Sequence, residues 1–231
     1  MTTEEFKQKN NIIFKDDTLL EQAFIHRSFI NESIKSGLSH NERLEFLGDA
    51  VLELVVTEYL YKKYPHQNEG DLTAYRSALV NAVTLGGVAD DLGFNDMIRL
   101  SKGEAKDVSR ARSSILADAY EAFIGALYLD QGYESVKDFI ERTVLTKTEE
   151  IISKGLYKDA KSFVQEKSQE LFGETPVYKV LSEEGPDHDK RFEVAIYFGE
   201  DKGGVGLGKS KQEAETAAAR NALENKGWVG K

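Results

Sequence analysis

The chain reads as an all-helical domain over residues 1–152, a linker over 153–158, and a small α-β-β-β-α domain over 159–229. Three observations predict this. Apolar residues recur at spacings of three and four through the first two-thirds, as in LLEQAFIHRSFI and LTAYRSALVNAVTLGGVA, the period of a helix with one buried face. Near residue 153 that pattern gives way to SKGLYKDAK, a short polar stretch with one Gly. Beyond it, VYKVLSEEGP and RFEVAIYFGE alternate apolar and polar residues, as half-buried strands do.

The helical candidates, in order, are 17–31, 40–64, 69–91, 109–130 and 133–152. The first ten residues, MTTEEFKQKN, are acidic and polar and do not form a secretory signal. In the second domain, DAKSFVQEKSQELFG predicts a helix ended by Gly173. Two alternating strands follow, separated by the turn segment EEGPDHDK. GGVGLGKS is a short Gly-rich strand, and SKQEAETAAARNALENKG is an amphipathic helix. Ser210, with Glu213 three residues on, forms a capping-box pattern at its start.

Composition narrows the function classes. A 231-residue chain that is 40% hydrophobic can fill one large core or two smaller ones. No apolar run approaches the roughly 18 residues a membrane span needs. The absence of cysteine excludes disulfides, thiolate zinc sites and a cysteine nucleophile. A cytoplasmic address fits. The net charge of −10, concentrated in the first two-thirds, argues against nucleic-acid binding, because phosphate contacts need Lys and Arg.

One feature of the helical part calls for a partner. SSILADAYEAFIGALYL, residues 113–129, carries Asp118 and Glu121 and no other charge. A carboxylate in an apolar setting is costly unless something pairs with it. In HNERLEFLGDAVLELVVTEYL, residues Glu42, Glu45 and Asp49 fall within an arc of about 60°, since helical residues advance about 100° each. Leu52, Val56 and Leu60 return apolar groups near that arc, so this helix too is expected to be mostly enclosed. If the two acidic faces meet, Glu45, Asp49, Asp118 and Glu121 converge. Oxygen-only ligation suits Mg²⁺, Mn²⁺ or Ca²⁺, and metals held by carboxylates in a wet pocket serve phosphodiester hydrolysis. The plainer reading, acids answering a helix dipole, suits Glu42 well, Glu45 partly, and Asp118 and Glu121 less. A di-iron bundle wants Glu-x-x-His on its helices, which neither helix has.

HNERLEFLGDAVLE resembles the signature helix of the ribonuclease III family, nearly position for position. AFIHRSF at 23–29, EGDLTAYRSALV at 69–80 and SILADAYEAFIGALYLDQGY at 114–133 agree with it. KSFVQEKSQE, GPDHDKRF and GLGKSKQEAETAAARNAL are similar to a double-stranded-RNA-binding domain. The resemblance implies an all-helical nuclease domain that forms a homodimer. It also implies Mg²⁺-dependent cleavage of double-stranded RNA, with Mn²⁺ as a substitute, leaving 5′-phosphate and 3′-hydroxyl ends with short 3′ overhangs. Ribosomal RNA precursors are the family's expected substrates. Carried over by motif, Glu45, Asp49, Asp118 and Glu121 are the metal-binding acids, with Asp49 and Glu121 catalytic. Glu42 and Glu69 support the site or its substrate. Phe46 matches an aromatic that plugs into the partner subunit; its plainer reading is an ordinary core residue, and the two are compatible.

In the second domain the resemblance assigns Ser162, Gln165, Glu166 and Gln169 to one minor groove, His188 to the next, and Lys209 and Lys211 to phosphates. Duplex RNA is recognised by shape in this way, across two minor grooves and the major groove between them. The chain departs from the family where the usual lysine pair reads Lys211-Gln212, and where Glu215 stands in place of a base, so the phosphate clamp is expected to be thin. Arg76, Arg110 and Arg112 are candidates to line the cleavage valley. The competing function is a non-catalytic duplex-RNA-binding scaffold; a degenerate nuclease should lack some of the four acids, and this chain has all of them.

Overall fold

The computed structural model describes residues 1–32, 39–106, 110–157, 159–186 and 190–228. The chain divides into two compact units, Met1–Ile151 and Ile152–Lys231.

The first unit is helical throughout. It opens with α1 (Thr3–Asn10), which the sequence reading missed. Its capping box was legible: the Thr2 side chain accepts from the Glu5 N–H, and the Glu5 carboxylate accepts from the Thr2 N–H. The predicted helix 17–31 is two helices, α2 (Asp17–Ala23) and α3 (Arg27–Glu32). The break is set at long range, because Ile25 pairs with Arg99 in a parallel bridge. The helix predicted at 40–64 is α4 (Glu42–Lys63).

The predicted helix 69–91 is also two, α5 (Glu69–Leu79) and α6 (Ala82–Leu92). Asn81 divides them as an N-cap, its side-chain oxygen accepting from the N–H groups of Val83 and Thr84. α7 (Arg110–Gln131) follows the predicted 109–130 closely. The predicted helix 133–152 resolves into α8 (Tyr133–Thr143), a 3₁₀ turn at Leu145–Lys147, and α9 (Thr148–Ser153).

The core of this unit is aromatic. Phe6, Phe24, Phe94, Phe123 and Phe139 pack edge to face or tilted at centroid distances such as 4.9 Å for Phe24–Phe94 and 5.0 Å for Phe123–Phe139. The buried Tyr120 hydroxyl is satisfied by Thr143 Oγ1 at 2.8 Å. α7 runs through this core and packs along α4.

In the second unit, α10 (Ala160–Phe172) starts at an Asp159 cap and ends at Gly173, as predicted. β1 (Val177–Glu184), β2 (Arg191–Phe198) and β3 (Asp201–Gly208) form an antiparallel sheet in the order β1-β2-β3. The register runs from Val177↔Tyr197 to Glu184↔Arg191, with a bulge between Val180 and Ser182. α11 (Lys211–Asn225) closes the unit. Both helices pack on one sheet face around Phe163, Val164, Ile196, Phe198, Ala218, Ala219, Ala222 and Leu223. Ser210 accepts from the Glu213 N–H as expected, but the Glu213 carboxylate returns to the N–H of Lys209.

The expectation that α4 is mostly enclosed is corrected. Leu44, Gly48, Val51, Leu52, Val55, Val56 and Leu60 face the core. Phe46, Leu54 and Tyr61 are 83%, 57% and 72% exposed. At 100° per residue these three share one side of the helix. Phe46 is therefore no core residue of this chain.

Candidate metal centre and RNA-binding face

α4 and α7 approach so closely that neither tolerates a side chain at the crossing. A Cβ on Gly48 would lie 1.7 Å from the Glu121 carbonyl oxygen, and one on Gly125 would lie 2.1 Å from that of Leu44. This contact aligns the acidic face of each helix with the other. Carboxylate oxygens of Glu45, Asp118 and Glu121 lie within 4.8 Å of one another, each residue half-buried.

The electrostatics follow from that crowding. Burial, then the charges of Asp49, Asp118, Glu45 and Glu53, push Glu121 up to about 8. Burial, then Asp118, Glu42 and Asp49, raises Glu45, while Arg27 works in the other direction. Burial raises Asp118, opposed by His26. Three anions in this geometry repel unless they are protonated or share a cation. Their all-oxygen donor set fits a hard divalent ion.

The other predicted residues are placed as follows. Asp49 is exposed, one turn beyond Glu45; it lies outside the 4.8 Å group, though its charge bears on both glutamates. Glu42 turns to Arg27, whose Nη1 lies 3.3 Å from its Oε1, and to His40 at 3.7 Å. Glu69 starts α5 and lines a separate pocket of about 470 Å³ with Thr57, Tyr61, Leu72 and Arg76, so it does not join the cluster. Arg76 donates to Thr57 Oγ1 at 3.1 Å, and Arg112 to Asn95 Oδ1 at 2.8 Å. The Arg110 side chain lies outside the described residues. Two further basic side chains bear on the carboxylates from the segment that opens α3, Arg27 on Glu45 and His26 on Asp118.

A further carboxylate, Glu104, was also missed; its Oε2 lies 2.9 Å from His26 Nδ1. AFIHRSF carried His26 and Arg27 in plain view, but their neighbours, Glu104 among them, are set by packing and not by spacing.

In the second unit, Ser162, Gln165, Glu166 and Gln169 are exposed along one face of α10 and, with Glu170, line a shallow surface depression. Lys209 and Lys211 are exposed at the start of α11. His188 lies outside the described residues. Glu215 is paired: Lys161 Nζ donates to it at 2.6 Å, linking α10 to α11 beside Tyr178. Its charge is thus directed at a neighbouring helix, which softens its expected effect on the phosphate clamp.

Comparison with known proteins shows the family. A Ribonuclease-III-like family model matches residues 16–148, and a double-stranded RNA binding motif matches residues 160–226. Ribonuclease 3 of Streptococcus sanguinis is 47% identical over 218 residues, covering 93% of this chain and 92% of that protein. Ribonuclease 3 of Geobacillus kaustophilus is 45% identical over 224 residues, covering 96% and 89%. A solved nuclease domain of the ribonuclease III of Campylobacter jejuni, described as flexible in a region involved in dimer formation, is 41% identical. It matches with a TM-score of 0.57, covering 63% of this chain and 97% of that one. Two helices that cross at glycine to gather acids, followed by a duplex-RNA-binding motif on a separate unit, place the chain in the ribonuclease III family.

Proposed function

We propose that the protein is a metal-dependent endoribonuclease that hydrolyses double-stranded RNA, leaving 5′-phosphate and 3′-hydroxyl ends with short 3′ overhangs. The observation that carries this reading is the convergence of Glu45, Asp118 and Glu121 on a face fed by two separate helices. Residues 1–152 are the nuclease domain, 153–158 the linker and 159–229 the binding domain. The protein works in the cytoplasm, on structured transcripts that include ribosomal RNA precursors. Among the described residues no helix is long and apolar enough to cross a membrane.

Glu45, Asp49, Asp118 and Glu121 would hold Mg²⁺, or Mn²⁺ in its place. Bound there, the ion supplies Lewis-acid stabilisation of the charge that builds on the phosphate in the transition state. The chain's own part is positional. The four carboxylates, Asp49 and Glu121 foremost among them, set the donor geometry, and the close α4–α7 crossing keeps their oxygens from drifting apart. Glu42 and Glu69 support the site or its substrate. Ser162, Gln165, Glu166 and Gln169 offer donors and acceptors to 2′-hydroxyls without reading sequence. Lys209 and Lys211, with the α11 N-terminus and its backbone N–H groups, meet phosphates, and His188 reaches the second minor groove.

A direct test is incubation with a long RNA duplex with and without Mg²⁺. Short duplex fragments with 5′-phosphate ends are expected only with the ion. Duplex bound but left whole in both Mg²⁺ and Mn²⁺ would establish the scaffold reading instead.

The working unit is a homodimer. Phe46, Leu54 and Tyr61 form an exposed apolar stripe on α4, and exposed apolar patches of this kind mark protein–protein contacts. Phe46→Asp, which places a charge in that stripe, is expected to convert dimer to monomer at micromolar concentration in sedimentation, with helix content unchanged. An unaltered sedimentation coefficient would remove Phe46 from the interface.

A further inference from the structure

Arg27 stands beside a field of anions, its charge acting on Glu45 and its guanidinium against Glu42. Glu45, Asp118 and Glu121 crowd within 4.8 Å, and a polyanionic backbone brought beside them is repelled unless a nearby cation compensates. The charge of Arg27 already reaches Glu45. Of the arginines that the sequence nominated for this part, Arg76 donates to Thr57 and Arg112 to Asn95, and the Arg110 side chain lies outside the described residues.

The mount of Arg27 is tied down by hydrogen bonds while its head is exposed. The buried Asn41, 2% exposed, ties the preceding segment to the start of α4: its N–H donates to the Ile25 carbonyl at 2.9 Å and its Nδ2 to that of Ala23 at 3.1 Å. From the other side, the His26 N–H donates to the Arg99 carbonyl at 3.2 Å and the Arg99 N–H to that of Phe24 at 2.8 Å. Ser28 Oγ accepts from the Ser101 N–H at 3.0 Å. Beyond this frame the Arg27 side chain is 69% exposed, resting on Glu42 at 3.3 Å, itself 45% exposed.

An exposed pair of that kind is worth little, so it yields readily to a better partner. A phosphate is such a partner, because the planar guanidinium grips two of its oxygens at once.

We propose that Arg27 is a substrate-binding residue that leaves Glu42 to clamp a phosphate of the duplex beside the acid cluster, Glu42 serving in the free protein to hold it in place. The proposal rests on the nuclease reading and names a substrate contact within it. Replacing Glu42 would then free the arginine rather than empty the metal centre.

The test uses the full chain in two forms. In the Glu121→Gln background, which is expected not to cut, duplex binding in Mg²⁺ is followed from about 50 to 200 mM salt. Arg27→Ala should weaken binding about tenfold or more. It should also flatten the slope of log affinity against log salt by nearly one per subunit, the signature of a lost phosphate contact. Arg27→Lys should recover the slope but not the full affinity, since a lysine keeps the charge and loses the fork.

In the cutting form, Arg27→Ala should raise KM for the duplex with kcat much less changed. Lys15→Ala, the same charge loss beside Asp130 near the far end of α7, should alter neither the slope nor KM. A wild type that cuts, with Arg27→Ala matching its slope and KM or Lys15→Ala shifting them equally, overturns the role of Arg27 alone. A wild type that leaves duplex whole overturns the nuclease reading and this contact with it.

Discussion

Glu121→Gln is expected to abolish cleavage of duplex RNA, by at least about 10³-fold, while duplex binding and helix content stay at wild-type levels. Glutamine keeps the shape of the side chain and removes its charge, so the loss isolates one anionic donor among the clustered carboxylates. A 10³-fold fall corresponds to about 4 kcal/mol of barrier, a fitting scale for a group that acts on the charge developing in the transition state.

The same substitution has a second readout that does not need RNA. Burial, then the crowding of neighbouring carboxylates, raises Glu121 from 4.5 to about 8 in the metal-free protein. The folded state therefore retains a proton that the unfolded chain releases. Stability from this group is complete below about pH 4.5 and drains away as pH climbs through 8. The metal-free wild type should melt at progressively lower temperature from about pH 5 to 8, and Glu121→Gln should flatten that decline. Mg²⁺ competes with protons for the same oxygens, so its stabilising effect should be greatest near pH 8 and much reduced in the variant. Near wild-type cleavage, or an identical Mg²⁺-induced melting shift in both proteins, would remove Glu121 from the centre.

Gly48→Ala should be the most damaging single-carbon change in the first unit. Its new Cβ would sit 1.7 Å from the Glu121 carbonyl oxygen, a backbone atom in a buried helix that cannot swing aside. α4 and α7 must separate, at a cost of about 2–3 kcal/mol for overpacking. For a chain of this size that lowers the melting temperature by roughly 5–10 °C. Separation also carries Glu45 and Asp49 away from Asp118 and Glu121, and a shift of about 1 Å in a reacting constellation costs about 10² in rate.

Gly87→Ala in α6 is the matched control. Its Cβ meets nothing within 4 Å, so it should leave melting unchanged or raise it slightly, because alanine is the better helix former. If Gly48→Ala melts and cuts like the wild type, the close crossing does not position the acids.

Much of the architecture was readable from residues a few positions apart. Gly173 ending α10, Ser210 starting α11 and the alternation in β2 are local devices, and the structure follows them; β1 forms as a strand, but Val177, Val180 and Leu181 stay exposed. The acidic arc on α4 and the acid pair on α7 were legible for the same reason, since helical spacing alone puts those side chains on one side. Where local signals were overlooked, as with the Thr2 capping box and the Asn81 cap, the helices were missed or run together.

What the chain text alone settled is therefore its fold class and which residues share one side of a helix. Which face meets which neighbour was settled by packing. Phe46 and Leu54 are as apolar as any core residue, yet they point away because Gly48 lies on the side of α4 that α7 can approach. Glu42 shares an arc with Glu45 but is drawn off by Arg27, 15 residues upstream, whose position depends on Asn41 and Arg99. Burial and charge pairing are sums over everything nearby in space, and the spacing of one helix records only its own contribution to that sum.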